Sequence, residues 1–266
     1  MQRRILIIDD HNDLASALEE VFSQEGHQVT ILDNRTEALA IPRIEDYDLV
    51  ITDLDVANIS APRPPNGNGK HYTPEAETFK AFKVGASNFR RDEFDEDELK
   101  RLVETVLNYK IRFVDKQESV KNLRENIEFE LPSAIAVMHA ILDYLMKRVA
   151  KLGVVCPEQS NLFVALDEAF VNAVKHGNKF DVAKLVRISA DISQSEARFT
   201  IEDEGEGFDV NSIPDPLDPL NLFKSSGRGV LFIYNIMDEV KYNERGNRLT
   251  MVKKCDSKSP VKTHTT

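Results

Sequence analysis

The chain begins with an apolar run, Arg4 to Ile8, that stops at Asp9 and Asp10 and is followed by helical spacing of apolar residues from Leu14 to Phe22. Gln28 to Leu32 reads as a second strand and Asp48 to Thr52 (DLVIT) as a third, buried one ending at Asp53. Short apolar runs separated by helical patterns predict a β-α-β-α-β unit, and therefore a parallel sheet with right-handed crossovers. Ala61 to Lys70 (APRPPNGNGK) is a surface loop on composition. Helical spacing resumes from Pro74 to Val84 and again from Asp95 to Lys110. The latter helix is expected to run on towards Leu123 as a connector, with Leu99, Leu102, Val103, Val106 and Leu107 as its apolar stripe.

The pattern then restarts. Glu125 to Leu131 (ENIEFEL) alternates, with Ile127, Phe129 and Leu131 on one face, as in a half-buried strand. Ser133 can cap a helix running to about Leu152, with Gly153 in the terminating position. A second helix covers Glu158 to His176 and stops at Gly177. Alternating strands follow at Leu185 to Ile192 and Glu196 to Glu202, then a Pro- and Asp-rich loop, then a helix from Gly229 to Met237. A hairpin turning near Gly246 directs Leu249 and Met251 inward, and the polar tail from Asp256 reads as disordered.

Composition narrows the classes. The 266 residues suit two domains, with 41% hydrophobic and 30% charged positions. No apolar run is long enough to span a membrane. The start, MQRRILIIDD, places two aspartates where a leader would have its cleavage site. Cys156 and Cys255 form no framework, which fits a reducing cytoplasm. A net charge of -11 argues against a nucleic-acid partner, which needs a basic surface to release counterions.

Three motifs carry chemistry. In ALDEAFVNAVKHGN, Glu168 and Asn172 lie four apart on one helix face, with Lys175 and His176 one turn on. A carboxylate, an amide oxygen and basic groups on one stripe suit a hydroxyl activator, a magnesium ligand and phosphate contacts. In EDEGEGFD, Asp203 ends a strand beside Gly205 and Gly207. A fixed carboxylate there can accept a hydrogen bond from an adenine amino group, and glycine lets the backbone approach a ligand. In SSGRG, Gly227, Arg228 and Gly229 open a helix whose N–H groups can bind an anion. Singly, these also describe a solvated helix face, an acidic turn and an ordinary helix start. Gly69 and Lys70 do not complete a Walker motif after a strand.

Together, in this order, the motifs resemble the boxes of the Bergerat (GHKL) ATPase fold shared by gyrase, histidine kinases and mismatch-repair ATPases. Asp209 to Lys224 (DVNSIPDPLDPLNLFK) would be the lid over the phosphates. EAFVNAVKHGN, DEGEGFD and GRGVLFIYNIMDEVKYNERGNRLTMVKK look like the anti-sigma factor and switch-protein serine kinase family. That resemblance covers 125–255. It implies ATP and Mg as cofactors, Glu168 as general base and Asn172 as the Mg ligand. Asp203 becomes the adenine anchor, and Gly205, Gly207, Gly227 and Gly229 the nucleotide cradle. It further implies transfer of the γ-phosphoryl to a serine or threonine of an anti-anti-sigma (STAS-type) partner, with a sigma factor as a further partner. The alternative is a nucleotide-gated module that sequesters partners without catalysis. A sensor histidine kinase is disfavoured, because His139 in SAIAVMHAILDYL lacks the acidic residue that follows a phosphoacceptor.

In the front half, RILIIDDHNDLASALEEVF, YDLVITDLDV and GASNFRRDEFDEDELKRLV resemble response-regulator receivers. Asp9, Asp10 and Asp53 would converge at the carboxyl end of the sheet, hold Mg and make Asp53 a phosphoacceptor for an upstream histidine kinase. Asp92, Glu93 and Phe94 stand where that family has a lysine ahead of proline and phenylalanine, so no neutralising lysine is expected. Only 31 residues separate Asp53 from Gly85 (54–84). The reading is a degenerate receiver, with a structural or dimerising role as the competing one. The expected architecture is α/β. A flavodoxin-like parallel-sheet domain (1–110) leads through a helical linker (111–124) to a Bergerat α/β sandwich with a mixed sheet (125–255) and a disordered tail (256–266).

Overall fold

Hydrophobic runs without alternation require cover on both faces, and β1 (Arg4–Asp9), buried from Ile5 onward, has it. It lies between β2 (Gln28–Leu32) and β3 (Leu49–Val56), parallel to both, with α1 (Asp13–Gln24) and α2 (Arg35–Ala40) as crossovers. The expected parallel β-α-β-α-β unit is therefore present. The computed structural model describes residues 1–41, 43–56, 78–91, 94–155, 160–210 and 228–255. The expected loop at 61–70, most of the expected lid and the tail lie outside them.

The expectation of a helix from Pro74 to Val84 is corrected over its described part, 78–84. Residues Thr78–Gly85 form β4, antiparallel to β3. The F-K-A-F-K-V run places Phe79 and Phe82 three apart, which imitates a helical period. Yet Phe82 and Val84 are buried and Lys83 between them is exposed, the alternation of a strand paired on both sides.

Beyond β4, α3 (Glu96–Tyr109) is capped by Asp95, whose carboxylate accepts the N–H groups of Asp97 and Glu98. It continues as a π-helical turn over Lys110–Asp115. The segment 111–124, expected as a helical linker, thus holds that turn and enters β5 (Leu123–Pro132) at Leu123. β5 runs parallel to β4 and antiparallel to β6 (Leu185–Ile192), so the sheet passes unbroken from one half to the other. Further on, β7 (Glu196–Asp203) pairs with β6 and β9 (Arg248–Lys254), and β8 (Glu239–Tyr242) closes the edge. The nine strands among the described residues follow the order β2-β1-β3-β4-β5-β6-β7-β9-β8.

The helices α4 (Met138–Leu152), α5 (Leu162–Val171) and α6 (Arg228–Ile236) belong to the second half, and Gly153 ends α4 in the left-handed region as expected. One hydrophobic cluster joins both halves. At its seam Phe82 of β4 meets Phe129 of β5 (ring centroids 6.3 Å apart) and Tyr144 of α4 (5.6 Å).

Candidate nucleotide site and carboxylate pocket

α5 buries Leu162, Ala165, Leu166, Ala169 and Phe170, which leaves Glu168 half-buried at the rim. At Asn172 the helix widens into a π-helical turn ending at Gly177. Such turns recur at functional sites because they re-aim side chains without ending the helix. Asn172 is half-buried on this turn, while Lys175 and His176 are exposed.

The end of that turn sits against Asp203. A Cβ on Gly177 would occupy the Asp203 carboxylate, and one on Gly205 would strike the Gly177 carbonyl oxygen. Only glycine permits this approach of the two backbones at 177 and 205 to each other and to the Asp203 carboxylate. Asp203 is held from several sides. Its Oδ1 accepts the Gly205 N–H at 2.8 Å, its own N–H donates to the Asn247 carbonyl at 3.0 Å, and its carbonyl accepts Asn247 Nδ2 at 2.7 Å. Burial pushes the Asp203 carboxyl above its ordinary value, against the opposing pull of Gly205 N–H and the Arg245 charge. Fully buried Asn178 pins the adjoining corner, donating to the Leu185 carbonyl at 2.9 Å and accepting Glu204 N–H at 2.8 Å. Arg245 donates to the Gly205 carbonyl at 2.8 Å, tying the glycine loop to the β8–β9 hairpin.

The third motif closes on the first. A Cβ at Gly229, in the first turn of α6, would overlap the Glu168 carboxylate, so this helix start lies directly on the carboxylate. Gly227 and the Arg228 side chain lie outside the described residues. Two contacts, Gly229 on Glu168 and Gly177 on Asp203, therefore bring the three motifs together. Asn178, Asn247 and Arg245 escaped the sequence reading. Asn178 stands inside the quoted motif, but nothing local marks a buried corner; the other two act across 40 and 44 residues of chain.

In the front half Asp9, the last residue of β1, is the register partner of Asp53 within β3. Asp9 is engaged by backbone: Oδ1 accepts His11 N–H at 3.1 Å, and Oδ2 accepts Leu14 and Ala15 N–H at 2.8 and 2.9 Å. Asp10 accepts Asp55 N–H at 2.9 Å and bonds the His11 ring at 2.7 Å, which raises the His11 pKa. Asp53 receives Lys110 Nζ on both oxygens at 2.8 Å. The expectation of no lysine at this aspartate is thus corrected: the cation comes from the turn after α3. Burial alone would lower the Lys110 pKa; Asp53, Asp115 and Glu125 override it and hold Lys110 above its ordinary value. A cavity of about 170 Å³ is lined by Asp9, Asp10, His11 and Asp53, together with Asp13, Lys80 and Glu118. Among the described residues no three His, Cys, Asp or Glu side chains are grouped to hold a metal ion, so Asp9, Asp10 and Asp53 do not form a ready ligand set.

Comparison with known proteins decides the family. Residues 131–253 match the histidine kinase-like ATPase domain. The serine-protein kinase RsbW of Staphylococcus epidermidis is 27% identical over 142 residues, 50% of this chain and 89% of that protein. The anti-sigma F factor of Clostridium perfringens is 31% identical over 116 residues, 41% of this chain and 81% of that protein. The chain belongs to the histidine kinase-like ATPase family. Residues 5–61 match the response regulator receiver domain, a stretch that takes in β1 to β3 and ends before the antiparallel β4. No helix among the described residues is long and apolar enough to cross a membrane.

Proposed function

We propose that this chain is a cytoplasmic, ATP-dependent serine/threonine kinase of the anti-sigma type, acting on an anti-anti-sigma (STAS-type) protein in a partner switch that also involves a sigma factor. The observation that carries this is the convergence of Glu168, Gly229, Gly177, Asp203 and Gly205. The glycines let the three motifs pack where any side chain would clash, which suits a nucleotide held by backbone and fixed carboxylates, and magnesium on it would neutralise phosphate charge.

Asp203 accepts the adenine amino group. The α6 start and the glycines hold the phosphates, and Asn172 supplies the amide oxygen for magnesium, with Lys175 and His176 beside it. Glu168 takes the proton as the partner's hydroxyl oxygen bonds to the γ-phosphorus and the bond to ADP breaks. Such transfer depends on positioning and charge stabilisation more than on covalent chemistry by the protein. The receiver-like half (1–110), joined through 111–124, modulates the kinase half (125–255), with a histidine kinase or a second copy of the chain as its own partner.

Transfer of labelled γ-phosphate to purified STAS proteins tests this. Wild type is expected to transfer and Glu168→Gln to retain ATP binding while losing transfer by at least a hundredfold. A wild type that binds ATP and transfers nothing overturns the kinase reading in favour of nucleotide-gated sequestration.

A further inference from the structure

Lys110 touches more than Asp53. Its ammonium lies 3.4 Å from Asp115 Oδ1, and the other Asp115 oxygen lies 3.4 Å from Arg148 Nη1. Arg148, on α4, binds Glu125 through Nε and Glu118 through Nη2, both at 2.6 Å. Glu118 closes back onto Lys80 at 3.0 Å, and Lys80 reaches Asp55 at 3.5 Å. Charges of alternating sign thus run from the carboxylate pocket to the second half of the molecule. Lys110 and Glu125 are 0% exposed and Arg148 1%.

Buried charges interact strongly because water does not screen them, and stranding one is costly. One member is held loosely. Neither Asp115 oxygen accepts a hydrogen bond among the described residues, so two cations hold this buried carboxylate by charge alone. A group without directional bonds shifts when the balance between its two cations changes. At the far end, α4 packs on α5, the helix of Glu168, where the His139 and Phe163 rings meet edge-on at 6.0 Å.

We propose that the charge on Asp53 is transmitted through Lys110, Asp115 and Arg148 to α4, so that the front carboxylate pocket tunes the nucleotide site. This rests on the ATP-binding reading above and supplies its regulatory route. A carboxylate on Asp53 anchors Lys110; a neutral side chain there releases Lys110 towards Asp115, which relaxes its hold on Arg148.

The experiment is a double-mutant cycle in the full chain, Asp53→Asn against Arg148→Lys, since only a cycle isolates coupling between sites. The two readouts are affinity for a fluorescent ATP analogue with magnesium, and amide hydrogen exchange across 138–152. Asp53→Asn is expected to change affinity at least threefold and to alter exchange in α4, and both effects should vanish in the Arg148→Lys background. Equal effects in both backgrounds, or none in either, overturn the relay. If Asp53→Asn does not fold, Asp53→Asn with Lys110→Met removes one charge of each sign and takes its place; wild-type exchange in that pair overturns the relay. A wild type that ignores ATP overturns the nucleotide reading instead, and exchange in α4 alone then decides the relay.

Discussion

Gly205 donates its N–H to Asp203 Oδ1 at 2.8 Å while its α-carbon faces the Gly177 carbonyl with no room for a methyl group. The same glycine thus orients the carboxylate proposed to read adenine and seats it against the π-helical turn. Gly205→Ala should destabilise the chain by about 1–3 kcal/mol through overpacking. It should also weaken ATP affinity at least tenfold, measured by urea unfolding and nucleotide titration. Wild-type affinity in a stable Gly205→Ala protein would remove Asp203 from the nucleotide site.

Gly229 poses a different test. Its added methyl would meet the end of the Glu168 side chain, which can swing away, rather than fixed backbone. Gly229→Ala is therefore expected to fold with an unchanged melting temperature and to lower kcat about tenfold to a hundredfold, because displacing a reacting group by about 1 Å costs on that order. A kcat equal to wild type would mean that Glu168 does not act from the observed position.

The seam gives a stability prediction. Phe82 is 1% exposed and contacts rings from both β5 and α4. Phe82→Ala should cost about 3–5 kcal/mol. Because the sheet is continuous, both halves should lose structure together, followed by hydrogen exchange on β1 and β9. Loss confined to β1–β3 would show that the halves unfold independently.

Glu125 gives a pH prediction. Burial, with the Asp115 charge adding and Arg148 opposing, pushes its carboxyl from 4.5 to about 7. A folded value above the unfolded one means that the native state binds more protons between the two. The contribution of Glu125 to stability is then most favourable below about 4.5, declines as pH rises to about 7 and is level above. Relative to wild type, Glu125→Gln should gain stability over that window in urea unfolding curves. Parallel curves from pH 4 to 8 would contradict it.

Much was legible where the signal is local. The Arg4 to Ile8 run, the end of α4 at Gly153 and the hairpin at Gly246 followed from period and from turn residues, whereas Ser133 does not cap α4, which starts at Met138. The spacing of Glu168 to Asn172 and Asp203 to Gly205 marked the motifs proposed to hold the nucleotide for the same reason. The run from Thr78 to Gly85 misled because three-residue spacing of phenylalanines fits a helix as well as a paired strand, and only its neighbours select between them.

What the sequence by itself determined was each element's buried face and the chemistry offered along it, since both depend on side chains a few residues apart. Tertiary structure alone decided that β4 and β5 weld two halves into one sheet, that Gly177 meets Asp203, and that Lys110 reaches Asp53 across 57 positions. Strand pairing and buried ion pairs join segments whose separation in the chain carries no period, so their energies appear only once the backbone has brought them into contact.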